Sequence, residues 1–281
     1  MHFFKYSSIG NDFILINNIE EKIPENKFSD LAKRLCRRRF NIGADGILIL
    51  EKSQKADFKM RIFNSDGSEA EMCGNGIRAI AKHVYDSRLT KSTEIRVETL
   101  ADIKILKLFL KDNLVESIEV DMGTPKLLRN EIPMTGVNKK VIGEEFRVDD
   151  EIYKITCVSM GNPHCIIYDD DVNSIDIKIG KKIETHQLFP NKTNVEFVQV
   201  LNNNELLVKV WERGAGETLA CGTGACATVV SSVLNNYVKK DQLITVHLPG
   251  GDLKIKWADD DHVYMTGPSE KAFEGDVDLK G

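Results

Sequence analysis

The sequence predicts an α/β fold of the α+β type, built as two duplicated, pseudo-symmetric domains. Three observations predict it. First, the chain repeats itself. Cys73 and Cys221 stand 148 residues apart, and at that offset Glu69-Ala70-Glu71-Met72-Cys73-Gly74-Asn75-Gly76 lies over Glu217-Thr218-Leu219-Ala220-Cys221-Gly222-Thr223-Gly224. Glu69, Cys73, Gly74, Gly76 and Ala79 each meet an identical residue. Ser8-Ile9-Gly10-Asn11 matches Ser159-Met160-Gly161-Asn162 at an offset of 151, the drift that one loop insertion produces. A period this long means a duplicated domain, since solenoid repeats span only about 20–50 residues. Second, most apolar segments are short and strand-like. Third, each half holds one helical stretch of small and apolar residues just after a Cys-Gly-x-Gly turn. Each half therefore reads as a mostly antiparallel sheet or barrel wrapped around a central helix, with the active site in the cleft between the halves. Regular βαβ alternation is missing, which argues against a doubly wound parallel sheet.

The elements follow in order. Phe28 to Arg39 carries apolar residues at Phe28, Leu31, Ala32 and Leu35, a helical spacing, with Ser29 or Asp30 as N-cap. Arg37-Arg38-Arg39 then suits the helix C-terminus and solvent. Strands are expected at Asp45–Leu50, Phe58–Phe63, Glu94–Thr99, Ile103–Leu110, Asn194–Val200, Leu206–Trp211, Leu243–Leu248 and Asp252–Trp257. Ile77–Tyr85 and Ala225–Tyr237 are the two central helices. The first unit runs to about Val120 and the second from about Glu151 to Gly267. Gly123, Pro125, Pro133, Gly136 and Gly143 between them mark connecting loops.

Composition narrows the function. A length of 281 residues suits one large domain or two ordinary ones, and 42 % hydrophobic with 29 % charged residues excludes disorder. Basic residues number 38 and acidic ones 43, a net charge of −5, which argues against a nucleic-acid or anionic-membrane partner. Lys239-Lys240 is too short to alter that. Six cysteines without a C-x-x-C pair make no disulfide scaffold and no zinc ribbon. Asp169-Asp170-Asp171 and Asp259-Asp260-Asp261 read as solvated turns, so no metal is expected. No apolar run approaches the roughly 18–20 residues of a membrane helix, and no signal peptide precedes Asn11 and Asp12. The expected compartment is the cytoplasm, where thiols stay reduced.

The two Cys-Gly turns carry the chemistry. Glycine lets a ligand approach the backbone, and the following helix start offers unsatisfied N–H groups and a positive dipole end. A cysteine there is expected to have a stabilised thiolate and a lowered pKa. The same N–H groups would bind a carboxylate. Two such turns related by a pseudo-twofold suit inversion of a carbon centre: one thiolate removes a proton from one face while a thiol delivers another to the opposite face. Cys36, Cys157, Cys165 and Cys226 read instead as small apolar packing residues. Nothing resembles a pyridoxal or flavin site, so no cofactor is expected.

The motifs Gly10-Asn11-Asp12-Phe13, Asn64-Ser65-Asp66-Gly67-Ser68, Met72-Cys73-Gly74-Asn75-Gly76-Ile77-Arg78, Gly161-Asn162-Pro163-His164, Asn194-Val195-Glu196-Phe197 and Trp211-Glu212-Arg213-Gly214-Ala215-Gly216-Glu217-Thr218, followed by Ala220-Cys221-Gly222-Thr223-Gly224, resemble diaminopimelate epimerases, in order and across roughly Phe3 to Val229. The resemblance implies cofactor-independent epimerisation of LL-2,6-diaminoheptanedioate to the meso form in lysine and cell-wall precursor synthesis. It implies Cys73 and Cys221 as the acid/base pair, supported by His164 and Glu212. Gly74, Asn75, Gly222 and Thr223 would present backbone N–H groups to the reacting carboxylate. Asn11, Asn64, Asn162, Asn194, Glu212 and Arg213 would hold the substrate, Arg213 by gripping a carboxylate with its fork. The resemblance also returns the tail to the first domain, giving residues 1–119 plus 268–281 and residues 120–267, and implies a homodimer. One departure stands out: some members carry a substrate-contacting glutamine after Ala44-Asp45, and this chain has Gly46.

Other readings of single residues stay open. His164, after Pro163, could be an ordinary loop histidine, Glu212 and Arg213 a surface pair, and Asn11, Asn162 and Asn194 turn residues. The nearest competing function is a proline or hydroxyproline racemase, whose cysteine motifs resemble M-C-G-H-G and S-P-C-G-T-G where this chain has Asn75 and Ala220. A non-catalytic thiol switch is a third reading. An isomerase of the same fold that uses carboxylates is a fourth, disfavoured by the two cysteines.

Overall fold

A computed structural model describes residues 1–279 of the chain. They divide into two compact units, Met1–Val120 with the tail from Thr266, and Asp121–Met265. Lys280 and Gly281, expected in the tail, lie outside the described residues.

In the first unit, β1 (His2–Ser8) and β2 (Asn11–Asn17) form a hairpin through Ile9 and Gly10, both at positive φ, the geometry that two-residue hairpin loops require. A short helix α1 (Asn18–Glu21) and a 3-10 turn (Glu25–Lys27) lead to α2 (Phe28–Leu35). Helix α2 begins straight from that turn, without a side-chain cap, so neither Ser29 nor Asp30 is its N-cap. It also stops four residues short of Arg39, which takes φ +69°. Arg38 leaves the helix end and binds Asp12 and Asp45 instead.

The sheet continues with β3 (Gly46–Glu51), parallel to β2, then β4 (Phe58–Asn64), antiparallel to β3 and to the short β5 (Glu69–Ala70). After α3 (Gly74–Asp86) come β6 (Glu94–Glu98), β7 (Ile103–Lys111) and β8 (Leu114–Asp121). Strand β6 pairs parallel with β4, and β6, β7 and β8 pair antiparallel in turn. Helix α2 packs on one side, where Phe28, Leu31, Ala32 and Leu35 join Ile14, Ile16, Ile47 and Ile49. Helix α3 touches β1, β2, β3, β4 and β7, and Ile77, Ala79, Ile80, Ala81 and Val84 are fully buried. With a helix on each side, β3 is apolar on both faces, which explains its unbroken run Ile47-Leu48-Ile49-Leu50.

The second unit repeats this order. Strands β9 (Glu144–Val148), β10 (Glu151–Ser159) and β11 (Pro163–Tyr168) pair antiparallel. A 3-10 turn (Ile177–Ile179) and α4 (Gly180–Glu184) precede β12 (Asn194–Asn202), which lies parallel to β11. Next come β13 (Glu205–Glu212), the short β14 (Gly216–Thr218), α5 (Gly222–Leu234), β15 (Ile244–Leu248) and β16 (Gly251–Trp257). Strand β13 pairs antiparallel with β12 and β14 and parallel with β15. Strand β17 (Val263–Gly267) runs beside Met122 and Gly123, and β18 (Glu270–Asp276) pairs with β1. Helix α5 touches β10, β11, β12, β15 and β16.

Each unit is thus a mostly antiparallel sheet around one buried helix, with two parallel pairs apiece. The segment read as connecting loops differs from expectation. Ile132, Met134 and Val141 are buried with Phe146 and Val148 of β9 in the core of the second unit. Its prolines and glycines shape the path without exposing the apolar side chains between them. The central helices also start earlier than expected, at Gly74 and Gly222, so each Cys-Gly-x-Gly is a cap and first turn in one. No helix among the described residues is long and apolar enough to cross a membrane.

Candidate active site

Cys73 and Cys221 hold the same post. Each is the N-cap of the central helix, in extended backbone, and each sulfur accepts a hydrogen bond 3.4 Å long from the glycine three residues on, Gly76 N or Gly224 N. The N–H groups of Gly74 and Asn75, and of Gly222 and Thr223, belong to helix first turns, which have no intrahelical acceptors and can receive an anion.

In the first unit Asn11, at the start of β2, brings its Oδ1 to 3.9 Å from Cys73 Sγ and accepts from Asn75 Nδ2 at 3.2 Å. Two residues outside the sequence reading hold this arrangement. Asp45 accepts from Asn11 Nδ2 at 2.7 Å, and the fully buried Arg78 donates to Asn75 Oδ1 at 3.0 Å and Gly74 O at 3.1 Å. Asn64 ends β4, bonded to Ser68, with none of its recorded bonds reaching the other site residues. Gly46 pairs with Asn64 in the ladder, and a Cβ there would lie 2.7 Å from Phe63 O. The backbone therefore leaves no room for the glutamine that some family members carry.

In the second unit the groups are closer still. Thr223 Oγ1 lies 3.4 Å from Cys221 Sγ and accepts from Asn162 Nδ2 at 3.2 Å. Asn162 Oδ1 faces His164 Nε2 at 3.0 Å, and His164 Nδ1 faces Glu196 Oε1 at 2.7 Å. His164 is no loop residue: it lies in β11, fully buried. Asn194 accepts from Arg213 N at 2.9 Å and donates to Pro163 O at 2.8 Å, which ties the Arg213 loop to β11. Glu184, also outside the sequence reading, accepts from Gly214 N at 3.1 Å and Trp211 Nε1 at 2.9 Å, bracing the same loop from α4. The one signal for Glu196 is its place between Val195 and Phe197, a charge in an apolar strand.

The electrostatics correct one expectation. The Cys221 thiol is pushed well above its ordinary value, chiefly by burial, with the Glu212 and Glu196 carboxylates adding to it. Hydrogen bonds from Thr223 and Gly224 N act the other way without prevailing. The helix start stabilises a thiolate, but desolvation beside two acids outweighs it. Burial also raises the Glu212 carboxyl, which the Cys221 thiol opposes by hydrogen bonding. Cys36, Cys157, Cys165 and Cys226 are all buried, and burial lifts Cys36 to about 12. Among the described residues no group of three or more His, Cys, Asp and Glu side chains is gathered as a metal ion would require.

The diaminopimelate epimerase family model matches residues 3–128 and 156–272. The chain belongs to the diaminopimelate epimerase family. The diaminopimelate epimerase of Pelotomaculum thermopropionicum is 51 % identical over 277 residues, covering 98 % of both chains. That of Moorella thermoacetica is 50 % identical over 281 residues, covering 99 % of this chain and all of its own. Among solved structures, a phenazine biosynthesis protein of the PhzF family from Bacillus anthracis aligns at TM-score 0.74 and 14 % identity, covering 99 % of each chain. A probable proline racemase from Agrobacterium radiobacter aligns at TM-score 0.74 and 12 % identity, covering 99 % of this chain and 93 % of its own. At such identities these two show the fold, and they place the chain among duplicated-domain proteins of that kind. Members of the diaminopimelate epimerase family are isomerases.

Proposed function

We propose that this chain interconverts LL- and meso-2,6-diaminoheptanedioate without a cofactor, using Cys73 and Cys221 on opposite faces of one α-carbon. The observation that carries the reading is the duplicated post: two sulfurs, each an N-cap beside a glycine-opened helix start. One thiolate takes the α-proton while the other thiol gives its proton to the opposite face. The roles exchange in the reverse direction. The first-turn N–H groups at residues 74, 75, 222 and 223 stabilise the charge that develops on the adjoining carboxylate. Burial and the Glu212 and Glu196 carboxylates favour the protonated form of Cys221, the form that delivers a proton.

His164 and Glu212 set the protonation of the Cys221 side. Arg213, held by Asn194, grips the distal carboxylate, and Asn11, Asn64 and Asn162 orient the substrate without adding charge. Arginine at that post favours a substrate with a second carboxylate over proline. The enzyme acts in the cytoplasm as a homodimer. β18, exposed along nearly its whole length with Phe273 at 50 %, is a surface a second copy could cover. Light scattering should give twice the chain mass of 31.6 kDa; a mass of one chain overturns the dimer.

Incubation with LL-2,6-diaminoheptanedioate in deuterated water tests the activity. One α-carbon should gain solvent deuterium as the meso form appears. Label entering proline, with none in the diamino acid, would reverse the reading.

A further inference from the structure

Strand register aligns the two units residue by residue. Phe13 stands opposite Gly46 in the parallel pair of β2 and β3, and His164 stands opposite Asn194 in β11 and β12. Two residues further along β3 and β12 lie Leu48 and Glu196, 148 positions apart. The first unit thus fills these two places with an apolar pair, Phe13 and Leu48, and the second with His164 and Glu196, both fully buried. The helix glycines repeat the equivalence. A Cβ on Gly76 would come to 2.8 Å from Leu48 Cδ2, and one on Gly224 to 2.6 Å from Glu196 Oε1. The fold accepts apolar side chains at both places. Burying a carboxylate there carries a desolvation cost that a partner offsets only in part. Glu196 is therefore explained by the site and not by the fold.

The hydrogen bonds give it a direction. Asn162 turns its oxygen to His164 Nε2 and its nitrogen to Thr223 Oγ1. An amide oxygen only accepts, so Nε2 carries a hydrogen. Thr223 Oγ1 accepts from Asn162 and keeps its own hydrogen, which a Cys221 thiolate 3.4 Å away can accept. With Nε2 donating, the 2.7 Å contact between His164 Nδ1 and Glu196 Oε1 holds a second proton between two atoms. A carboxylate at 196 is what stabilises a ring that carries hydrogen on both nitrogens, Nδ1–H toward Glu196 and Nε2–H toward Asn162.

We propose that Glu196 is a positioning residue: it holds His164 with Nε2–H toward Asn162, so that Asn162 and Thr223 deliver a hydrogen bond to the Cys221 sulfur and favour its thiolate during turnover. This rests on the reading of Cys221 as an acid/base group. The other titratable and polar groups facing the chain are Glu212 from β13, Cys165 from β11 beside Glu196, and Gly224 N from α5. The bare charge of Glu196 opposes the thiolate, as that of Glu212 does. A proton shared with His164 neutralises Glu196, so what the pair passes on toward Cys221 is the hydrogen bond.

The test uses Glu196→Gln, Glu196→Leu (the residue type the first unit carries there), Thr223→Val and Thr223→Ser in the full chain. Glu196→Gln and Thr223→Val should each lower kcat about tenfold with KM nearly unchanged. Each should move the acid limb of kcat in the direction that uses Cys221 as base up by about one pH unit, a tenfold loss of thiolate. Their effects should not add in the double variant, and Thr223→Ser should restore the rate. Nitrogen-15 spectra of the histidine rings, with His164→Gln to assign the signal, should show both ring nitrogens of His164 protonated in the parent and only one of them in Glu196→Gln. Should Glu196→Gln misfold, Glu196→Leu carries the same kinetic and spectral expectations. A His164 ring in the parent with only one nitrogen protonated, an unmoved acid limb or additive effects each overturn the proposal. Epimerisation surviving in Cys221→Ala would overturn the acid/base reading instead, and the ring spectra report on Glu196 independently of it.

Discussion

At the residue scale, burial decides the chemistry as much as residue type does. The sequence places Cys221 at a helix start, which by itself lowers a thiol pKa. It does not reveal that Glu212 and Glu196 share the same enclosure, and the balance turns over once they do. His83 shows the same rule in a residue outside the site. It is buried in α3 with Nδ1 3.3 Å from the Tyr6 hydroxyl, and burial lowers it to about 4, the nearby Lys271 adding to the effect. A histidine held below its unfolded value of about 6.5 contributes stability above that value, which is lost as pH falls toward 4. Unfolding free energies from urea titrations should therefore drop between pH 6.5 and 4, by up to about 3 kcal/mol from this residue. His83→Phe should flatten that slope; an unchanged slope would show that His83 takes up its proton as readily in the folded as in the unfolded chain. Arg213→Ala should raise KM for the diamino acid about 10–100-fold, the loss of one charge-assisted grip, with a smaller change in kcat. An unchanged KM in steady-state assays would remove Arg213 from the substrate.

At the element scale, the strands and central helices were legible because apolar runs and Cys-Gly turns bound them sharply. Most expected strands fall within one or two residues of their observed limits. Strands β1, β2, β10 and β11 escaped notice although their hairpin turns were visible as Gly-Asn pairs. Being buried on both faces or mixed with polar site residues, they lack a clean alternation. Helix α2 was overextended because the Arg37-Arg38-Arg39 run looks helical, and only the fold reveals that Asp12 and Asp45 draw Arg38 away. Gly46 shows how an element constrains the site. Its missing side chain is enforced by Phe63 O across the ladder, so Gly46→Gln should cost about 1–3 kcal/mol of stability without improving KM. Thermal melts with parallel kinetics check this. A stable variant with lower KM would mean that β3 can yield to admit the glutamine.

At the scale of the whole molecule, duplication was readable from a handful of identical residues. Glu69, Cys73, Gly74, Gly76 and Ala79 recur, and Cys73, Gly74 and Gly76 form the cap and first turn of the helix in both copies. The divergence between copies follows the same offsets, Leu48 lying over Glu196 at 148 and Phe13 over His164 at 151. The pairing of β2 with β3 and of β11 with β12 adds that the members of each pair occupy the same place in the fold. The two halves keep one architecture and differ in what surrounds each sulfur: Asn11, Asn75 and Arg78 in one, Thr223, Asn162, His164, Glu196 and Glu212 in the other. Much of the site was accessible from motifs. The parts played by Asp45, Arg78, Glu184 and Glu196 were not, although Arg78 and Glu196 lie within the motifs, because each acts on another site residue through contacts that close only in the folded chain.

The two-thiol account is tested most directly by following epimerisation in Cys73→Ala, Cys221→Ala and the double variant, with circular dichroism to establish that each is folded. Groups that act as one unit are non-additive when removed. The account predicts that either single change abolishes conversion of the LL to the meso form and that the double variant is no worse than either. Full epimerisation retained in a folded single variant would contradict it.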